Sequence, residues 1–266
     1  MLKKRLFSSF FLILLIGICL TREWASALLI VLFAVAALYE FFTMVEKKGI
    51  EIFKYFGMVV GFLILVSVAL HFELTRGWEL LLITLTLLSL ILVQFKRRQN
   101  SGVIIGLSTT IFGIFYIPWF MSFLIKIRYL SHGAGLLASV LLITKLGDIG
   151  AYLLGNRFGR HALISRISPN KTQEGFWGGI LFSVFTALGS RFLMPVSFSY
   201  LHLAVLGLFL GILGQLGDLS ESLMKRDCSV KDSGNIFPGL GGALDCIDSV
   251  LFTVPVFYFW VLHFGA

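Results

Sequence analysis

Charge is scarce in this chain. Asp, Glu, Lys and Arg make up 14% of 266 residues, against 58% hydrophobic residues and a mean hydropathy of +0.93. Such values lie outside the range of water-soluble domains, so a soluble globular fold is excluded. Cysteine is rarer still. Cys19 lies in the first apolar run, and Cys228 and Cys246 lie in polar segments with no CxxC and no neighbouring His. That excludes a disulfide framework and a structural zinc site, and all three read as free thiols. No internal repeat, low-complexity tract or Pro/Ser linker is present, which points to a single membrane domain. Catalytic signatures are missing as well. The "GNRFGR" at 155–160 lacks the Lys and hydroxyl pair of a triphosphate-cradling loop, HExxH and Ser/His/Asp patterns are absent, and His132, His202 and His263 stand apart.

What the chain has in abundance is apolar sequence at membrane-crossing length. A hydrocarbon core of about 30 Å needs roughly 17 to 25 helical residues. Nine stretches are candidates: 6–20, 24–43, 54–72, 77–95, 102–125, 134–155, 176–194, 201–220 and 248–264. Lys3, Lys4 and Arg5 with "ASA" at 25–27 have some look of a secretory signal. Arg22, Glu23 and Trp24 are a poor approach to a cleavage site, however, and the first stretch reads as an uncleaved helix. Lys and Arg gather in alternate connections: Lys47, Lys48 and Lys54; Lys96, Arg97 and Arg98; Arg157, Arg160, Arg166 and Lys171; Lys225, Arg226 and Lys231. The intervening ones hold Arg22, Arg76, Lys126, Arg128 and Arg191. Cytoplasmic loops carry the excess, so the expected fold is all-α and polytopic with about nine transmembrane helices, N-in/C-out. The net charge of +8 follows from this asymmetry and from attraction to anionic lipid, with no nucleic acid required. The sequon "NKT" at 170–172 then lies on the cytoplasmic side and is discounted.

The two halves differ. Residues 1–130 read as lipid-facing scaffold, with Tyr39 and Glu40 taken as an interfacial anchor. Residues 131–266 form the expected catalytic region, with cytoplasmic loops at 156–175 and 221–247. Here ionisable groups enter the spans. Lys145, Asp148 and Tyr152 share one helix face, as a polar cavity or a structural ion pair requires. If the eighth helix continues past residue 220, Asp218, Glu221, Ser222 and Lys225 form one stripe, with Glu221 and Lys225 at the favourable ion-pair spacing. Asp245 and Asp248 lie three apart near the start of the last helix, where acidic groups also suit the macrodipole. With Asp218 they supply the few carboxylates that a hard divalent cation wants beside phosphates. Cations and glycines in "GRHALISRISPNKTQEGFWGG" suit a polyanion or simply a positive-inside loop. Metal with Lys and Arg around phosphate is the chemistry of phosphoryl or nucleotidyl transfer.

These residues carry a resemblance. "GDLSESLMKRDCSVKDSGNIFPGLGGALDCIDS", with "DIGAYLLGNRFGRH" and "ISPNKTQEGFWGG" upstream, resembles the phosphatidate cytidylyltransferase (CDP-diacylglycerol synthase) family. The family pattern S-x-x-K-R-x-x-x-x-K-D-x-G-x-x-x-P-G-H-G-G-x-x-D-R-x-D is matched in register by Ser222, Lys225, Arg226, Lys231, Asp232, Pro238, Gly239, Gly241, Gly242, Asp245 and Asp248. The resemblance covers about residues 145–255. Leu240 stands where the pattern has His, and Cys246 where it has Arg, which removes a cation beside Asp245.

The resemblance implies transfer of CMP from CTP to phosphatidic acid, giving CDP-diacylglycerol and pyrophosphate. It implies Mg²⁺ held by Asp218 and Asp245, with Asp248 as a direct or water-mediated ligand, and leaves a second cation open. Lys225, Arg226 and Lys231 would neutralise phosphates. Lys171, Ser168 and Thr172 would orient nucleotide or headgroup, and Asp148 would complete the cavity. Ser222, Asp232, Gly241 and Gly242 join the substrate-binding set. The implied partners are CTP, phosphatidic acid, membrane lipid and a second copy in a homodimer, at the inner membrane with the site facing the cytoplasm. Two other classes use similar charges: a CTP-dependent lipid kinase, which needs a base for a neutral hydroxyl, and an ion-coupled transporter with Lys145, Asp148 and Asp218 as a relay.

Overall fold

A computed structural model of the chain describes residues 2–71, 78–95, 101–194 and 198–265. Arg76 and the Lys96, Arg97, Arg98 group lie outside the described residues. Helix dominates because apolar runs in hydrocarbon have no water to satisfy their peptide groups. In chain order the helices are α1 (Leu2–Leu20), α2 (Glu23–Lys47), α3 (Lys54–Ala69), α4 (Trp78–Gln94), α5 (Val103–Ile114), α6 (Phe120–Arg128), α7 (Gly133–Phe158), α8 (Gln173–Gly189), α9 (Tyr200–Asp227) and α10 (Ala243–Phe264). A π-helical turn at Phe115–Trp119 joins α5 to α6 and contains Pro118, whose missing N–H a widened turn accommodates.

Six helical segments are long and apolar enough to cross a membrane: α2, the α5–α6 rod, α7, α8 with the 3₁₀ turn that follows it, α9 and α10. The apolar parts of α1, α3 and α4 are shorter, at Phe7–Leu20, Lys54–Ala69 and Ile83–Gln94. The protein is thus an all-α, multi-pass integral membrane protein, and the described residues place helix in each expected apolar stretch, six at spanning length. Phe10, Trp24, Leu32, Phe185, Phe209 and Phe259 point outward. In water these would be a liability, but against acyl chains they are the proper surface. The interior is built from Leu38, Phe42, Leu136, Ile143, Leu244, Leu251 and Phe257.

Two features depart from the sequence reading. The polar loop expected at 156–175 is shortened from both ends by helix. What remains is a two-stranded antiparallel hairpin, β1 (Ala162–Ile164) and β2 (Ser168–Thr172), pairing Ala162 with Thr172 and Ile164 with Ser168. The second is α2, which turns Trp24, Leu28 and Leu32 outward on one side only. Ala34, Ala37, Leu38, Phe41 and Phe42 are buried as it packs against α3, α6 and α10. Small side chains along α2 permit that close approach.

α9 and α10 also approach closely. A Cβ placed on Gly217 would fall 2.6 Å from the backbone oxygen of Asp248. The two helices therefore meet at the level of their carboxylates.

Candidate active site

α10 begins five residues before the expected start, so Asp245 lies in its first turn and Asp248 in its second. First-turn N–H groups have no partner within the helix. Asp245 reaches back to one end of this turn: its Oδ2 accepts the N–H of Gly242 at 2.7 Å, closing the start of the helix. The same oxygen accepts the Ser233 N–H at 2.9 Å. The Ser233 hydroxyl lies 2.8 Å from Asp245 Oδ2 and 3.0 Å from Glu40 Oε2, so one proton serves two carboxylates. Glu40, from α2, accepts the N–H groups of Ala243 at 3.0 Å and Leu244 at 2.9 Å. Negative charge at a helix N-terminus is worth about 1 kcal/mol, and more where partly buried.

α9 continues unbroken to Asp227, so Asp218, Glu221, Ser222 and Lys225 do share a stripe. The stripe works in two directions. Lys225 Nζ lies 2.9 Å from Glu221 Oε2 one turn back and 2.6 Å from Asp245 Oδ1 on α10. Glu221 is fully buried, so this lysine compensates two carboxylates removed from water. Asp218 instead faces the hairpin, its Oδ1 2.8 Å from Lys171 Nζ.

Deeper in the bundle, Lys145 on α7 binds across to α10. Its ammonium lies 3.1 Å from Asp148 Oδ2, 2.9 Å from Ser249 Oγ and 3.9 Å from Asp248 Oδ1. The Ser249 hydroxyl donates to Asp148 Oδ2 at 2.7 Å, and the Ser249 N–H to Asp248 Oδ1 at 2.6 Å. Asp148 Oδ1 is buried with no hydrogen-bond partner among the described residues. Tyr152, expected on this face, is 63% exposed and stays outside the cluster.

Several expected substrate contacts have other employment. Thr172 caps α8 by accepting the Gly175 N–H at 3.1 Å. Arg226 donates from Nε to the Ile167 carbonyl at 3.3 Å, tying α9 to the hairpin. Gly241 adopts φ +102°, and a side chain there would run into Asp245, while one on Gly242 would run into Glu40. These glycines make room for protein carboxylates. Ser168 begins β2 and Ser222 stays on the α9 stripe, both half-buried, and Lys231 and Asp232 are exposed on the connection between α9 and α10. All three cysteines are free thiols, as expected. Burial, and secondarily the Asp227 charge, push the Cys228 thiol up from its ordinary range, so it is no reactive thiolate.

Sequence reasoning missed Glu40, Ser233 and Ser249. Glu40 carried one signal, a carboxylate late in an apolar span. The serines carried none, since hydroxyls are common at helix ends and in turns.

Among the described residues, no three His, Cys, Asp or Glu side chains converge as a metal-binding group. Each aspartate expected to hold Mg²⁺ has a lysine beside it: Lys171 at Asp218, Lys225 at Asp245 and Lys145 at Asp248. The donor chemistry nevertheless fits a hard cation, being carboxylate and hydroxyl oxygen with one buried Asp148 oxygen left over.

The fold and site together define a multi-pass helical membrane protein whose lysines and carboxylates interlock between α7, α9 and α10 beneath a basic hairpin. The sequence model described as the Cytidylyltransferase family matches residues 3–264, and the chain belongs to that family. It is 34% identical over 230 residues to a phosphatidate cytidylyltransferase of Bacillus subtilis (strain 168), covering 86% of each chain. It is 33% identical over 267 residues to one from Synechocystis sp., covering 90% of this chain and 89% of the relative. A Staphylococcus epidermidis phosphatidate cytidylyltransferase is 44% identical over 126 residues, 47% of this chain and 48% of its own.

Proposed function

We propose that the chain transfers CMP from CTP to phosphatidic acid, forming CDP-diacylglycerol and pyrophosphate. The observation that carries this reading is the family match over residues 3–264, with relatives named for that activity aligned along nearly their whole length. In the reaction a phosphate oxygen of phosphatidic acid attacks the α-phosphorus of CTP. The bond from that phosphorus to the bridging oxygen of the β-phosphate breaks, and pyrophosphate leaves with the electron pair. A phosphate monoester is anionic at neutral pH, so no strong base is needed. That favours nucleotidyl transfer over the kinase alternative, which needs a base for a neutral hydroxyl.

The protein's task is positioning and charge neutralisation. Lys171, Lys225 and Arg226 border the cluster and supply cations for phosphate oxygens, with Lys231 on the exposed connection. Asp218 and Asp245, with Asp248 nearby, are the proposed holders of Mg²⁺, which when bound neutralises triphosphate charge and withdraws density from the α-phosphorus. Asp148 and Ser249 hold the Lys145 ammonium against Asp248, keeping that carboxylate oriented.

We place the site on the cytoplasmic side of the inner membrane, with N-in/C-out orientation. Two contacts support this: the Ser8 hydroxyl of α1 donates to the Pro238 carbonyl at 2.9 Å, and Lys48 after α2 pairs with Asp227. The N-terminal end of α1 therefore lies at the end of the bundle that holds the basic connections, as the positive-inside rule requires. The test is conversion of labelled CTP and phosphatidic acid by the detergent-purified chain with Mg²⁺. CDP-lipid that disappears on chelation and returns with Mg²⁺ supports the reading. Absence of CDP-lipid with folded protein rejects it, and a phosphorylated alcohol in its place identifies a kinase.

A further inference from the structure

We infer that Glu40 is a positioning residue for the transfer site: from α2 it fixes the start of α10 and the Ser233 hydroxyl, and through them the orientation of Asp245 and Lys225. The inference rests on the cytidylyl-transfer reading for its consequence and on geometry for its substance. Glu40 is 5% exposed, and among the described residues its hydrogen-bond donors are all neutral: Ala243 N, Leu244 N and Ser233 Oγ. Burying a carboxylate without a lysine or arginine is costly, and only a helix N-terminus with further donors offsets it. Its neighbours on α2, including Leu38, Phe41 and Phe42, are apolar and buried, so the packing of α2 itself makes no use of the charge.

The connection between α9 and α10 is shaped to receive it. Gly234 and Gly242 flank the carboxylate so closely that a Cβ at either would collide with it. Two helical turns earlier on α2, Phe33 stacks on Phe237 of the same connection, centroids 5.4 Å apart and planes 13° off parallel. One face of α2 thus grips this segment twice, by an aromatic ring and by a carboxylate. Asp245 Oδ2 accepts from Gly242 N, Ser233 N and Ser233 Oγ, so every group that fixes this oxygen lies on the gripped segment. With Oδ2 fixed, Oδ1 is presented to Lys225 at 2.6 Å.

Glutamine at position 40 keeps the volume but accepts with one oxygen and turns an amide NH₂ toward a donor. In the purified chain, Glu40→Gln is expected to lower kcat about 10- to 100-fold and to leave KM for CTP within about threefold. The melting transition in detergent should be retained. Ser233→Ala should act similarly, and the Glu40→Gln/Ser233→Ala double variant should be no worse than the poorer single variant, because both act through Asp245. Full activity in Glu40→Gln overturns the inference. So do losses that track the melting temperature and multiply in the double variant, the pattern of a purely structural role. Hydrogen exchange supplies a readout independent of turnover: Glu40→Gln should speed exchange in segment 229–245 while leaving α8 unchanged, and unchanged exchange there overturns the grip itself. If the wild-type chain makes no CDP-lipid, the proposed function fails while the exchange result still decides the geometry.

Discussion

Lys171, on the second strand of the hairpin, holds its ammonium 2.8 Å from the Asp218 carboxylate on α9. A cation expected to meet phosphate and an anion expected to meet metal here form an ion pair. A metal–nucleotide pair bound there would exchange one set of opposite charges for another, leaving no isolated charge in the bundle.

Lys171→Ala separates binding from stability. The pair is partly exposed, at 21% and 32%, so its loss should change unfolding free energy by under about 1 kcal/mol. The kcat/KM for CTP should fall by about 10- to 150-fold, a charge-assisted phosphate contact being worth roughly 1.5 to 3 kcal/mol. Thermal melting and initial rates on the same preparation check both parts.

Lys225→Met behaves differently because its partners are buried. Glu221 and Asp245 would be left facing each other without a cation, a loss of about 3 to 5 kcal/mol. The melting transition should fall sharply, and activity should vanish. Lys225→Met/Glu221→Gln should recover part of the stability and none of the turnover.

Lys145 is the cation beside Asp248 and Ser249, on the helix where Cys246 stands in place of the family pattern's Arg. Lys145→Met is expected to reduce turnover by at least about tenfold through loss of the charge that orients Asp248. Introducing Cys246→Arg into that variant should restore part of the rate. A double variant as slow as Lys145→Met alone would separate the two positions.

Thr172→Ala tests a residue first read as a substrate contact. Its hydroxyl caps α8, so the variant should lose about 1 kcal/mol of stability. KM for CTP should shift by less than about threefold, and Thr172→Ser should restore the melting temperature.

Gly217→Ala probes the contact between α9 and α10. The added methyl meets the Asp248 backbone oxygen at 2.6 Å, and separating the helices is expected to cost about 1 to 3 kcal/mol. Turnover should fall more steeply than stability, because Lys225 and Asp245 bridge that interface.

The parts of this site that were legible in the sequence are local. The Glu221 to Lys225 pair and the Lys145 to Asp148 pair follow from 3.6-residue periodicity, and both are present. The composition and the apolar runs required a helical membrane bundle, since hydrocarbon tolerates no unpaired backbone. Less legible was the geometry that residues of phosphate-binding type adopt. Thr172, Gly241 and Gly242 have the chemistry of phosphate contacts, yet their geometry serves a helix cap and two carboxylates.

Glu40 marks the boundary. By sequence it is a single acid in an apolar span, 203 and 204 residues from the N–H groups it accepts. No local rule connects such positions, because the N-terminus of α10 becomes a ligand only when α2 packs beside it. Sequence alone determined the membrane setting, the helices, the charged stripes and the family resemblance, all properties of neighbouring residues or of composition. Tertiary structure decided which lysine compensates which carboxylate and that α2 belongs to the site, because burial leaves each charge only the partners that packing brings within hydrogen-bond distance.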